Sequence, residues 1–163
     1  MSELRVGIGL DAHAFSDEAS LVLGGVEFPG ERGLAGHSDG DLVAHALIDA
    51  IMGAAGLGDI GELFPSGDAQ WRDASSVRLL QRAYEVVKGA GWELVNADCV
   101  LVGEKPRVAP VRSAMRARLA GAMGVSPEQI AVRATTTDRL GFTGRGEGLA
   151  AQAVALLRRP ELT

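Results

Sequence analysis

The chain has 163 residues, 47% hydrophobic and 23% charged, with a formal net charge of −5, which fits one soluble globular domain over residues 1–163 and argues against general nucleic-acid binding, local basic pockets aside. Cys99 is the only cysteine, so an intrachain disulfide and a cysteine-rich zinc site are both excluded, and any zinc must use His and carboxylate. No run approaches a membrane span and the N-terminus has no charged-then-apolar signal pattern, which makes the cytoplasm the expected address.

Leu4–Leu10 alternates strictly, predicting a strand with Leu4, Val6, Ile8 and Leu10 on one face. Asp11 and His13 continue it on the opposite face, separated by about 6–7 Å of rise, so both side chains can reach one ion; an exposed polar strand end fits equally. Residues Leu21–Pro29 read as a short strand pair around a Gly24-Gly25 turn. Glu31–Gly36 is a loop leading to Gly36-His37-Ser38-Asp39-Gly40-Asp41, where Ser38 or Asp39 suits a helix N-cap. Val43, Leu47, Ile51 and Ala54 then form an apolar stripe, and Gly56 and Gly58 stop the helix. Asp41, His45 and Asp49 share another edge at i, i+4, i+8. That edge fits either a functional carboxylate–imidazole–carboxylate row or a solvated polar face.

The stretch from Glu62 to Asp73 is polar and broken by Pro65 and Gly67, predicting a flexible loop near the Asp59 segment. Ser75 or Ser76 caps a second helix to about Lys88, a strand covers Trp92–Val102, and Glu104-Lys105-Pro106-Arg107 is a basic turn. A third helix covers Val111–Met123 and another strand Ile130–Ala134. Thr135–Asp138 and Gly141–Gly148 read as loops. Leu149–Leu157 fits a strand by alternation and a helix by its alanines, and periodicity alone does not decide. Aromatics are 4% of the chain, so close packing of small residues and oligomeric burial replace bulky aromatic packing.

Three histidines are present: His13, His37 and His45. Asp11, His13 and His45 make a two-histidine, one-carboxylate set suited to Zn²⁺ with a fourth position open for water or substrate. An open zinc of this kind is a Lewis acid toward phosphoryl or carbonyl oxygen. Asp41, one turn before His45, is positioned in sequence to accept a ring N–H. Thr135-Thr136-Thr137-Asp138 offers hydroxyls and N–H groups to an oxyanion and a carboxylate to a hard cation, though a Thr-rich strand edge looks the same. The glycine-rich Gly141–Gly148 segment is no P-loop, because no Gly-Lys-Ser/Thr ending follows. Lys105 and Arg107 suit phosphate and are equally common as surface charge.

Together these motifs resemble the 2-C-methyl-D-erythritol 2,4-cyclodiphosphate synthase family. The resemblance rests on Asp11-Ala12-His13, on His37-Ser38-Asp39-Gly40-Asp41 with His45, and on Leu57-Gly58-Asp59-Ile60-Gly61. It continues through Pro106-Arg107, Thr135-Thr136-Thr137 and Leu140–Gly148, covering about Leu4 to Leu157. It implies an α+β subunit with a mostly four-stranded mixed sheet, helices packed on one face, a homotrimer around a threefold axis, and active sites between neighbours. It also implies that the tail is a strand.

The implied reaction converts 4-diphosphocytidyl-2-C-methyl-D-erythritol 2-phosphate to the cyclic diphosphate plus CMP. By the same resemblance Asp11, His13 and His45 hold zinc, and Asp138 beside Thr136 holds Mg²⁺ or Mn²⁺. His37 and Thr136 serve catalysis, His37-Ser38 meets the attacking phosphate, and Asp59 with Ile60 and Gly61 meets the diol. Phe64, Pro65, Ser66, Gly67 and Asp68 form the adjoining loop. Gly103, Glu104, Lys105, Pro106, Arg107, Val108 and Ala109, with Ala134 and Thr135, hold the cytidine and its phosphate, while Ala12 and Thr137 are further substrate-binding residues. Phe142 and Arg145 would border a threefold cavity that holds an isoprenoid diphosphate in family members. The chain departs from the family pattern at Ser66 and Asp138, where aspartate and glutamate are usual. It departs also at Arg107, usually lysine, and at Gln152, often an acid. Two other readings compete: a zinc-dependent phosphohydrolase using metal-bound water, and a non-catalytic trimeric binding protein whose closed zinc site recruits His37.

Overall fold

The computed structural model describes residues 3–161. Strand β1 runs Glu3–Ser16, three residues past His13, where the predicted strand ended. A hairpin, β2 (Val22–Leu23) and β3 (Val26–Glu27), turns at Gly24-Gly25 as expected. After β4 (Gly33–Leu34) comes helix α1 (Leu42–Ala55), then a single turn, α2 (Ile60–Leu63), and helix α3 (Ser76–Gly89). Strand β5 (Glu93–Val102), helix α4 (Arg112–Met123), strand β6 (Ile130–Thr135), the short α5 (Gly141–Gly144) and strand β7 (Gly148–Arg159) complete the order. The tail is therefore a strand, and the Glu62–Asp73 loop contains the end of α2 and a 3₁₀ turn at Ala69–Trp71.

The sheet has five strands, not four, in the order β4-β1-β7-β5-β6. The extra strand exists because the extension of β1 leaves an unpaired edge that Gly33 and Leu34 fill, opposite Ser16 and Phe15. Only β5 and β6 run parallel; the other pairings are antiparallel, giving a mixed sheet.

Alternation sorts the two faces. On β7, Leu149, Ala151, Ala153, Ala155 and Leu157 are buried toward the helices, while Gln152 and Val154 face out. On β1 the helix-facing positions are glycines. A Cβ on Gly9 would lie 1.8 Å from the Ala46 carbonyl oxygen, and one on Gly7 would lie 2.1 Å from that of Ala50. These two glycines let α1 lie directly on the strand. The apolar alternation of β1 therefore points outward: Leu4, Val6, Ile8 and Leu10 are 62–70% exposed in the isolated chain.

The cap of α1 is Asp41, not Ser38 or Asp39. Its carboxylate accepts the Ala44 N–H at 3.1 Å and, from the β2–β3 turn, the N–H groups of Gly24 and Gly25 at 2.8 and 2.7 Å. Fully buried, it is pushed up to about 6 by desolvation against the pull of those donors. Asp41 thus fastens the hairpin to the helix; its carbonyl accepts the His45 N–H at 3.0 Å, but its carboxylate makes no bond to the His45 ring, contrary to the sequence expectation. At the other end Gly56, with φ of 71°, lets the chain leave α1 in a left-handed turn. Among the described residues no helix is long and apolar enough to cross a membrane.

Candidate active site

Strand β1 delivers Asp11 and His13, and α1 delivers His45 from its second turn. Because the glycines bring the two elements together, the three side chains meet. Asp11 Oδ2 lies 2.8 Å from His13 Nε2 and 3.0 Å from His45 Nδ1. The three ligand atoms all fall within 4.8 Å of one another, and this is the one such group among the described residues. The rings are held from behind. His13 Nδ1 is 2.6 Å from the Ala35 carbonyl oxygen, and His45 Nε2 is 2.8 Å from Ser76 Oγ and 3.1 Å from Ser38 Oγ. A carbonyl can only accept, so His13 carries its proton on Nδ1 when neutral and turns the Nε2 lone pair toward Asp11. Carboxylate oxygen and imidazole nitrogen are the donor set that Zn²⁺ takes.

Charge follows the same geometry. Burial disfavours the Asp11 anion, yet hydrogen bonds and charge attraction from His13 and His45 overcome it and lower the carboxyl to about 2. The hydrogen bond to Asp11 raises His13 above the usual histidine value, against the opposing effect of burial. On the next turn of α1, Asp49 accepts the Ile60 N–H at 2.8 Å and so ties α2 to the site; burial raises its pKa.

The cluster opens into a cleft of about 280 Å³ lined also by His37, Ser38, Ile60, Gly61, Phe64 and Ser66. Asp59 is adjacent as the cap of α2, accepting the Glu62 N–H at 2.9 Å. Pro65 and Gly67 are exposed in the loop beyond, and Asp68 caps the 3₁₀ turn through the Gln70 N–H. The Ala12 N–H turns back to Asp11 Oδ1 at 3.0 Å. Sequence reasoning missed Trp71 and Leu79, which line this cleft, and the roles of Asp39 and Ser76. Its one clue was the serine pair at a helix start.

The remaining expected residues form a second group. Glu104, Lys105 and Pro106 line a separate cleft of about 300 Å³ with Thr143, Gly144 and Arg145. The Gly103 N–H bonds the Thr135 carbonyl at 3.0 Å, and the Arg139 N–H bonds Glu104 at 3.2 Å, joining this turn to the Thr run. Val108 is buried beneath it, Ala109 starts a 3₁₀ turn, and Arg107, Ala134, Thr135, Thr136 and Asp138 are exposed. Thr137 is turned to Leu140 and Thr143, and Arg145 pairs with Glu147 at 3.2 Å. Phe142 is partly exposed beside them.

One row across the sheet aligns Ala12, Ala150, Val102 and Thr135. Three strand spacings separate its ends, about 14 Å. The two groups therefore lie at the same end of the sheet without meeting within one chain. His37 lines the metal cleft but is outside the ligand group, which leaves the three-ligand set open rather than closed.

An α+β fold with a carboxylate and two imidazoles converging on an open cleft defines a candidate metal-dependent enzyme. The profile of the YgbB family matches residues 4–158. A 2-C-methyl-D-erythritol 2,4-cyclodiphosphate synthase of Rubrobacter xylanophilus is 57% identical, with 98% of each chain covered. Among solved structures, the bifunctional IspDF of Campylobacter jejuni superposes with a TM-score of 0.94 at 42% identity, over 99% of this chain and 44% of that one. The Plasmodium falciparum IspF in complex with CDP gives 0.85 at 27% identity, over 99% of both chains. The chain belongs to the YgbB family, that of the 2-C-methyl-D-erythritol 2,4-cyclodiphosphate synthases.

Proposed function

We propose that this chain converts 4-diphosphocytidyl-2-C-methyl-D-erythritol 2-phosphate to 2-C-methyl-D-erythritol 2,4-cyclodiphosphate and CMP, a step of the non-mevalonate isoprenoid pathway. The observation that carries the reading is the convergence of Asp11, His13 and His45 on an open cleft in a chain of this family. In the reaction an oxygen of the 2-phosphate attacks the β-phosphorus, the bond from that phosphorus to the bridging oxygen breaks, and CMP leaves. The nucleophile belongs to the substrate, so the protein supplies positioning and charge neutralisation.

Asp11, His13 and His45 would hold Zn²⁺, which when bound supplies Lewis acidity at a phosphoryl oxygen. His37 and Ser38 hold the attacking phosphate, Asp59 with Ile60 and Gly61 the diol, and residues 64–68 lie beside it, Phe64 and Ser66 lining the cleft. Gly103–Ala109, with Ala134 and Thr135, takes the cytidine and its phosphate; Lys105 and Arg107 lend charge to that segment. Asp138 and Thr136 would hold a Mg²⁺ or Mn²⁺, which when bound supplies charge neutralisation to the diphosphate. Complexes of relatives with CDP support a cytidine nucleotide as ligand here.

The two groups of residues lie too far apart to grip one diphosphate within a chain. We infer a homotrimer in which the metal cleft of one subunit meets the nucleotide segment of the next. The exposed apolar face of β1 supports the same assembly, and Phe142 and Arg145 would border its threefold cavity, where an isoprenoid diphosphate is a candidate occupant. The test is a mass spectrum of products from purified protein, zinc, magnesium and substrate. CMP with a cyclic diphosphate bears the reading out; inorganic phosphate refutes it.

A further inference from the structure

Ser76 opens α3, yet its side chain serves the metal cluster. It is fully buried, and its Oγ lies 2.8 Å from His45 Nε2. The flanking N-cap, Ser75, makes no capping bond through its side chain; the helix start is instead held by Asp39, whose Oδ2 accepts the Ser76 N–H at 3.0 Å. The same carboxylate accepts the Asp41 N–H at 3.1 Å and makes a short contact with Ser76 Oγ. Asp39 therefore acts as an acceptor throughout, and its contact with Ser76 Oγ consumes the hydroxyl proton. A hydroxyl whose only hydrogen is already given can meet an imidazole nitrogen only as an acceptor.

We infer that Ser76 is a positioning residue of the metal centre: committed as a donor to Asp39, its hydroxyl accepts the Nε2 proton of His45 and thereby aims the Nδ1 lone pair at the metal position. The chain Asp39–Ser76–His45 then does for His45 what the Ala35 carbonyl does for His13. Both neutral rings then present a lone pair beside the Asp11 carboxylate, three donor atoms turned to one point where a cation would sit. Ser38 Oγ lies 3.1 Å from the same nitrogen and 3.3 Å from Ser76 Oγ; with the Ser76 proton given to Asp39, Ser38 donates in that contact, and at Nε2 it is the longer and weaker partner. The inference rests on the reading of Asp11, His13 and His45 as zinc ligands.

The test compares wild type, Ser76→Ala and Ser76→Thr by zinc competition against a chelator, with ¹⁵N-histidine spectra of the zinc-loaded proteins. Ser76→Ala is expected to weaken zinc about 10- to 100-fold and to lose the solvent-protected ring N–H of His45, whereas Ser76→Thr restores both. Wild-type zinc affinity in Ser76→Ala, or an unchanged His45 ring proton, overturns the inference while leaving the zinc site intact. A wild-type protein that binds no zinc overturns the underlying reading as well. If Ser76→Ala does not fold, the wild-type spectrum decides alone: a zinc-loaded protein lacking a protected His45 Nε2–H contradicts the role.

Discussion

Asp11 Oδ2 lies 2.8 and 3.0 Å from two imidazole nitrogens at once, and this coupling has a pH signature in the metal-free protein. Its folded carboxyl is lowered from 3.8 to about 2, so its contribution to stability is present above the unfolded value and lost as pH falls toward 2. His13 is raised from 6.5, so its contribution is complete below 6.5 and lost as pH rises through the folded value. Metal-free protein should therefore show a plateau of melting temperature between about pH 4 and 6.5, falling on both sides, and Asp11→Asn should flatten it. A profile identical in the two proteins would contradict the coupling. Asp138 poses a separate question. Its backbone φ of 51° lies in the left-handed region, which a short aspartate tolerates better than most residues. Mg²⁺ demands an oxygen within roughly 2.0–2.1 Å or an intervening water. If Asp138 carries the second cation, Asp138→Asn raises the magnesium concentration needed for half-maximal activity; superimposable titrations for the two proteins would remove that role.

At the scale of elements, the site depends on how closely α1 approaches β1. Gly9→Ala would drive a methyl against the Ala46 carbonyl, and overpacking of this kind costs about 1–3 kcal/mol. The strand carries Asp11 and the helix carries His45, so the same displacement should weaken zinc binding. The expected result is a melting temperature lowered by several degrees together with a lower zinc affinity; a variant unchanged in both would show that the contact relaxes freely. Much of this was legible beforehand. Alternation marked β1, the apolar stripe marked α1, and residue type with spacing made Asp11, His13 and His45 a plausible set that the family resemblance then implied as zinc ligands. What stayed hidden came from tertiary contact. Two residues, Gly33 and Leu34, are too few to show a strand period. Ser76 reaches His45 across 31 positions of chain, so no local pattern reveals it. Asp41 faces the β2–β3 turn rather than His45, because a helix start offers unpaired N–H groups nearer than any ring. The alternation of β1 was read correctly, but that face is left open by the chain rather than turned to its own core.

For the whole molecule, that open face and the divided site point the same way. Leu4, Val6, Ile8 and Leu10 form one apolar row on the sheet surface away from the helices, and no other part of the described chain covers them. A charge placed there should break assembly without unfolding the subunit, since these side chains are solvated in the isolated chain. Sedimentation at micromolar concentration should give a trimer for wild type and smaller, inactive species for Ile8→Asp. Wild-type protein that is monomeric and fully active would rule out both the trimer and the shared site. The central claim, however, is that the substrate supplies the nucleophile and the protein's metal centre does not spend a water. Running the reaction in ¹⁸O-labelled water and weighing the products addresses this directly. Cyclisation predicts a cyclic diphosphate and CMP free of ¹⁸O, whereas one ¹⁸O atom gained per turnover in either product, or in released phosphate, would contradict the account.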